Sequence, residues 1–269
     1  RRQLREQTVA AHSPDQGQAA TTDRRVATGR RTPVRGTKLE RGLELWLKAE
    51  HENIEQKRDE WVWEDSSGQH RDASLVFPRK SIRIQNGAVR VSNRQLKKPG
   101  YLTGELEPDM FEGDFTVTLA VRFLSLAYKH DRALFSVGKN AFSIAYNDGP
   151  GAAHIRLILL GPDGKRIDSP SFPFIRKKPI ILVVARQKRG RLSIAAYPPH
   201  HKDVHEADGS WEMQADDTYM IGGDTVRDSG FLGDFANLRI YSRALNDDEV
   251  EALRKLYVEG DAEKDADDD

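Results

Sequence analysis

Asp114-Phe115-Thr116-Val117-Thr118-Leu119-Ala120-Val121-Arg122-Phe123 sets Phe115, Val117, Leu119, Val121 and Phe123 at every second position. Side chains alternate across a strand, so this run puts one apolar row on one face and predicts a half-buried antiparallel strand. The same period recurs on both sides of it. Gly42-Leu43-Glu44-Leu45-Trp46-Leu47-Lys48-Ala49 puts Leu43, Leu45 and Leu47 on one side, with Glu44, Trp46 and Lys48 on the other. Ala133–Val137, Phe142–Tyr146, Ile155–Leu160, Pro179–Ala185, Leu192–Tyr197, Thr218–Ile221 and Asn237–Tyr241 are further short apolar runs, most of them rich in β-branched or aromatic residues.

Turn chemistry separates these runs. Gly161-Pro162-Asp163-Gly164 and Gln187-Lys188-Arg189-Gly190 read as hairpin turns, and Asn147-Asp148-Gly149-Pro150-Gly151 as a longer loop. Many strands at this spacing without alternating helices predict an all-β, two-sheet antiparallel sandwich. One helix stands out: Asn246-Asp247-Asp248-Glu249 has capping-box spacing, Val250, Leu253 and Leu256 or Tyr257 form its apolar stripe, and Gly260 stops it. Glu50–Asp59 reads equally as a short helix or an exposed loop.

The 269 residues carry 42 basic and 42 acidic side chains, and this balance is a cancellation. Residues 1–38 hold nine Lys or Arg against three acids, and residues 258–269 hold seven acids against Lys264. Neither end has apolar residues enough to offset ordering entropy, so both read as disordered tails around a domain at 39–257. The arginines at the front lack interleaved aromatics, and the body is neutral, which argues against nucleic acid. The chain opens with Arg1, as after removal of an upstream signal peptide or membrane anchor, and equally as at an ordinary boundary within a longer chain. No apolar stretch approaches the roughly 18 residues of a membrane span. Without cysteine there is neither a disulfide scaffold nor cysteine catalysis.

Four segments together resemble the laminin-G-like jelly-roll domains of the concanavalin A-like superfamily. They are Gly42–Ala49, the loop Trp63-Glu64-Asp65-Ser66-Ser67-Gly68-Gln69-His70-Arg71-Asp72-Ala73, Gly113–Val117, and Ile221-Gly222-Gly223 with Phe231-Leu232-Gly233 and Leu238–Glu249. The last contains the closing signature Arg239-Ile240-Tyr241-Ser242-Arg243-Ala244-Leu245. The resemblance covers about residues 39–257. It implies a jelly-roll sandwich whose Tyr241 and Leu245 plug one end and whose final helix covers a sheet edge. It also implies a rim site, with Tyr146, Asn147, Asp148, Trp211, Asp224, Arg227 and Asp228 as ligand-binding residues. Relatives hold Ca²⁺ at such a rim, so Asp148 and Asp224 are the candidate metal ligands. Ala236 and Asn237 stand where the family's last strand carries acids.

Glu107-Pro108-Asp109-Met110-Phe111-Glu112 has the carboxylate spacing of laminarinase-type glycosidases, which share this fold. Pro108 and the late start of apolar alternation at Phe115 assign it instead to an approach loop. His200, His201 and His205 follow two prolines and read as a polar hairpin. The expected function is a non-catalytic recognition module that binds glycan or protein outside the cell or in the envelope. A structural subunit of a larger assembly is the alternative, followed by a divergent glycoside hydrolase.

Overall fold

The computed structural model describes residues 38–50, 53–57, 60–76, 82–85, 87–93, 100–125, 131–138, 142–148, 154–174, 180–198, 205–209, 217–223 and 231–259. All belong to the unit Gly36–Asp269, and the two charged tails lie almost wholly outside them. In chain order the strands begin with β1 (Leu43–Lys48), β2 (Ile54–Lys57), β3 (Glu60–Trp63), β4 (Ala73–Val76), β5 (Ile82–Gln85), β6 (Ala88–Ser92), β7 (Tyr101–Glu105), β8 (Phe115–Phe123) and β9 (Arg132–Val137). They continue as β10 (Phe142–Asp148), β11 (His154–Leu160), β12 (Arg166–Asp168), β13 (Phe172–Pro173), β14 (Ile181–Lys188), β15 (Arg191–Tyr197), β16 (His205–Gly209), β17 (Thr218–Ile221) and β18 (Leu232–Tyr241). Helix α1 (Asp247–Arg254) follows, and the backbone then widens into a π turn at Lys255–Glu259. The undecided stretch Glu50–Asp59 thus contributes a strand, β2.

The described strands form two antiparallel sheets, as the alternation requires. One has the order β16-β15-β14-β8-β18-β6-β5. In that sheet β6 and β1 lie end to end along one side of β18: Leu232–Phe235 pair with β6, and Asn237–Tyr241 pair with β1. The other has the order β12-β11-β10-β9-β17-β7-β4-β3-β2, with β13 beside β11. Between the sheets sit Phe115, Val117, Leu119, Val121 and Phe123 of β8, facing Phe135, Val137, Phe142, Ile144, Tyr219 and Ile221. Edge-to-face rings tie the two ends of this layer, Phe111 on Phe115 at 5.0 Å and Phe123 on Tyr146 at 4.8 Å.

The Asp65 loop is fastened by one carboxylate. Its Oδ1 accepts the amides of Trp46 (2.9 Å) and Ser67 (2.8 Å), while Oδ2 accepts Ser67 Oγ (2.7 Å) and the Arg71 amide (3.1 Å). The loop is thereby pinned to β1. Gly222 takes a φ of +79°, which frees the strand-to-rim turn at Ile221-Gly222-Gly223.

Two expectations need correction. Tyr241 and Leu245 do not plug the sandwich end; with Leu43, Leu182, Val184, Val250 and Leu253 they form a second cluster on the outer face of the first sheet. Accordingly α1 covers part of a sheet face and not an edge. On β1 a bulge between Leu43 and Leu45 turns Leu43 out of the row that buries Leu45 and Leu47, and on β18 a bulge between Phe235 and Asn237 leaves Tyr241 on the same outer face. The capping box does form: Asn246 accepts the Glu249 amide at 3.0 Å, and Glu249 accepts the Asn246 amide at 2.9 Å.

Candidate functional site

Helix α1 covers only part of that outer face. Beside it the sheet surface stays open as a groove of about 670 Å³, lined by Trp46 and Lys48 of β1, Arg122 of β8, and Asp234, Asn237 and Arg239 of β18. Tyr257 and Leu256 of the π turn form its wall, and Leu256 is the one exposed large apolar side chain among the described residues, at 55%.

The position of these side chains follows from strand parity and one bulge. On β18, Gly233 and Phe235 face away from the groove and Asp234 faces it. A bulge between Phe235 and Asn237 inserts Ala236, whose carbonyl accepts the Ala49 amide at 3.0 Å. After it the parity is reversed, so Leu238 and Ile240 enter the core while Asn237 and Arg239 share the groove with Asp234. On β1, Trp46 pairs across from Arg239, and Trp63 fixes the end of the strand by donating its indole N–H to the Lys48 carbonyl at 2.5 Å.

Charge at the groove is unevenly closed. Asp234, 4% exposed, accepts Arg90 through both oxygens at 2.6 and 2.9 Å, and Arg122 approaches it to 3.9 Å. That bond holds the Arg90 guanidinium above its ordinary value. Among the described residues, the partners of Arg239, also 4% exposed, are neutral: it stacks 4.2 Å from the Trp46 ring and donates to Tyr257 Oη at 2.6 Å and Tyr241 Oη at 3.3 Å. Lys48 Nζ lies 3.9 Å from the Trp46 ring and 3.9 Å from Glu50. Burial raises the Tyr257 phenol, with Arg239 opposing the shift.

The rim residues expected from the sequence are only partly brought together. Tyr146 is fully buried, packed on Phe123 and Phe231, and burial pushes its hydroxyl up to about 12. This corrects its place among the ligand contacts, because a ring closed inside the core offers no face to a ligand. Asn147 and Asp148 end β10 half-buried; Asn147 donates to Asp131 at 2.9 Å and accepts from Arg156 at 3.2 Å. Asp131 in turn pairs with Arg166 at 2.7 Å. Trp211, Asp224, Arg227 and Asp228 lie outside the described residues, as do His200 and His201. The candidate calcium pair Asp148 and Asp224 therefore has one member described, and the described residues contain no group of three or more His, Cys, Asp or Glu that could hold a metal.

Of the glycosidase-like spacing, Glu107 and Asp109 meet in a cleft of about 490 Å³ with Glu44, Asp114 and Arg243. Glu107 precedes a 3₁₀ turn at Pro108–Phe111 and Asp109 lies within it, in the approach to β8, and Glu112 does not line the cleft. Glu107 lies 3.7 Å from Arg71. Sequence reasoning missed the groove, although the polar row of β1 already placed Trp46 and Lys48 on one side. Arg239 was hidden inside a signature read as architecture.

No protein-family model matches the chain, and no curated protein matches it. Among solved structures, it is similar to Trypanosoma rangeli sialidase in complex with sialic acid, at TM-score 0.54 and 16% identity, over 79% of this chain and 32% of that one. It is also similar to the binding domain of botulinum neurotoxin serotype D/C, at TM-score 0.55 and 11% identity, over 80% of this chain and 52% of that one. The neurotoxin DC binding domain in complex with SialylT matches at TM-score 0.54. The chain thus spans about a third of the sialidases and half of the toxin domains. At these identities the likeness establishes the fold. It also overturns the expectation that the chain is no enzyme, because the fold occurs within sialidase chains and does not separate a binder from a glycosidase.

Proposed function

We propose that this chain is a carbohydrate-binding sandwich of the laminin-G-like jelly-roll kind, displayed outside the cell or in its envelope, with the Trp46–Tyr257 groove as its ligand site. The observation that carries this reading is an open sheet face walled by aromatic rings and floored by buried polar side chains, Asp234, Asn237 and Arg239. Such a floor supplies hydrogen bonds to hydroxyls, and the walls supply apolar contact to sugar ring faces. The fold of a toxin binding domain caught with SialylT supports the same reading. Among the described residues no helix is long and apolar enough to cross a membrane.

The test is a glycan array probed with the full chain, with calcium and with a chelator. Binding that Trp46→Ala abolishes, and that ignores calcium, assigns the sugar to the groove. A calcium-dependent signal assigns it to the Asp148–Asp224 rim. An array silent under both conditions overturns the carbohydrate reading. The sialidase likeness favours a second reading, glycoside hydrolysis at the Glu107–Asp109 cleft. Sugar release from fluorogenic glycosides that vanishes in Glu107→Gln supports it, and release unchanged in that variant, or none at all, removes it.

A further inference from the structure

We infer that the groove takes the carboxylate of an acidic sugar, recognised by the charge of Arg239 with Lys48 and Arg122 beside it. The inference rests on the carbohydrate reading and names the class of ligand. Its basis is the contrast with five arginines of this fold that carboxylates neutralise. Arg71 closes on Glu44 at 2.9 Å, Arg90 on Asp234 at 2.6 Å, Arg166 on Asp131 at 2.7 Å, Arg186 on Asp247 at 2.9 Å and Arg243 on Glu249 at 2.9 Å. Arg239 is more deeply buried than any of these, and among the described residues no carboxylate pairs with it.

A buried cation without a counter-ion is costly, and rings and phenols spread its charge without cancelling it. The residual positive field opens into a partly desolvated groove, where an anion gains more than it would in water. Around it stand Lys48, 3.9 Å from Glu50, and Arg122, 3.9 Å from an Asp234 that Arg90 already holds at 2.6 Å, so the cations at the groove outnumber its acids. The acceptors Asp234 and Glu50 at the same groove suit sugar hydroxyls and disfavour a multiply charged phosphate. The volume of about 670 Å³ falls within the span of roughly 300–1,000 Å³ common for small-molecule sites.

The experiment titrates the full chain with 3′-sialyllactose and with lactose, read by calorimetry at low and high salt. The acidic sugar should bind at least about tenfold more tightly, and salt should weaken it alone. Arg239→Met should bring the acidic sugar to within about threefold of lactose. If that variant does not fold, Lys48→Gln combined with Arg122→Gln reads the same field and should lower the preference by about fivefold. Equal binding of both sugars, or a preference that survives Arg239→Met in a folded protein, overturns the anion assignment and leaves the carbohydrate reading standing. Binding of neither sugar overturns the assignment, and the array decides separately whether the carbohydrate reading falls with it. Tighter binding of a peptide copied from Asp261–Asp269 overturns the sugar in favour of an acidic polypeptide.

Discussion

Arg243 and Arg239 leave the same stretch of chain toward the same side of the first sheet, and their surroundings differ above all in a carboxylate. Arg243 has its centre 5.7 Å from the Tyr241 ring and donates to both oxygens of Glu249, at 2.9 and 3.0 Å. Arg239 lies over the Trp46 ring and finds phenols where Arg243 finds a carboxylate. Around Arg243 the charges cancel internally, and helix α1 sits down on the sheet. Around Arg239 the charge is left open, and so is the sheet. Cover and vacancy on one face are thus set by whether an acid arrives with the next element.

The covered half should break first. Leu253→Ala removes a fully buried side chain of the helix cluster and should cost about 2–4 kcal/mol in chemical denaturation, with sugar binding intact once the protein is folded. Glu249→Gln should cost less, about 1–2 kcal/mol, because it leaves Arg243 without its ion partner and weakens the capping box. Acid sharpens the same contrast. The hydrogen bonds of Arg243 hold the Glu249 carboxyl below its ordinary 4.5 against the opposing effect of burial. Unfolding releases that hold, so the stabilisation is complete above about pH 5 and fades as pH falls through 4.5 and lower. Stability measured from neutral pH downward should fall with a shallower slope in Glu249→Gln than in the parent protein.

In the open half the effects should be smaller or reversed. Arg239→Met replaces an unneutralised buried cation with an apolar side chain, and its stability should stay within about 1 kcal/mol of the parent or rise. A loss comparable to that of Leu253→Ala would show that Arg239 serves the fold as Arg243 does, and would erase the comparison. The smallest change is Leu256→Ser at the exposed wall, within about 0.5 kcal/mol by thermal unfolding.

Much of this was legible in advance, and its limits share a cause. Alternation located the long strands and their inward rows, and the box at Asn246 located α1, because both patterns depend on near neighbours alone. Tyr146 could have been placed in the core from its own run, since Phe142, Ile144 and Tyr146 share one parity. The groove was not legible for two reasons. Parity arguments assume an unbroken count, and bulges at Leu43–Leu45 and at Ala236 interrupt it. The want of an acid beside Arg239 among the described residues is moreover a property of four distant segments brought together, which no spacing along the chain records.

The extra residue at Ala236 makes β18 behave like a message with a frame. Upstream of it even-numbered side chains look outward; downstream the odd-numbered ones do, and both phases serve a single surface. Losing Ala236 alone would leave Phe235, Asn237, Leu238 and Arg239 alternating without a break, so core and groove would both keep their residues. Losing Asn237 with it would send Arg239 and Tyr241 inward and turn Leu238 and Ile240 out to water. In any lineage of this chain, the loss of one residue at that point should therefore be tolerated where the loss of two is not.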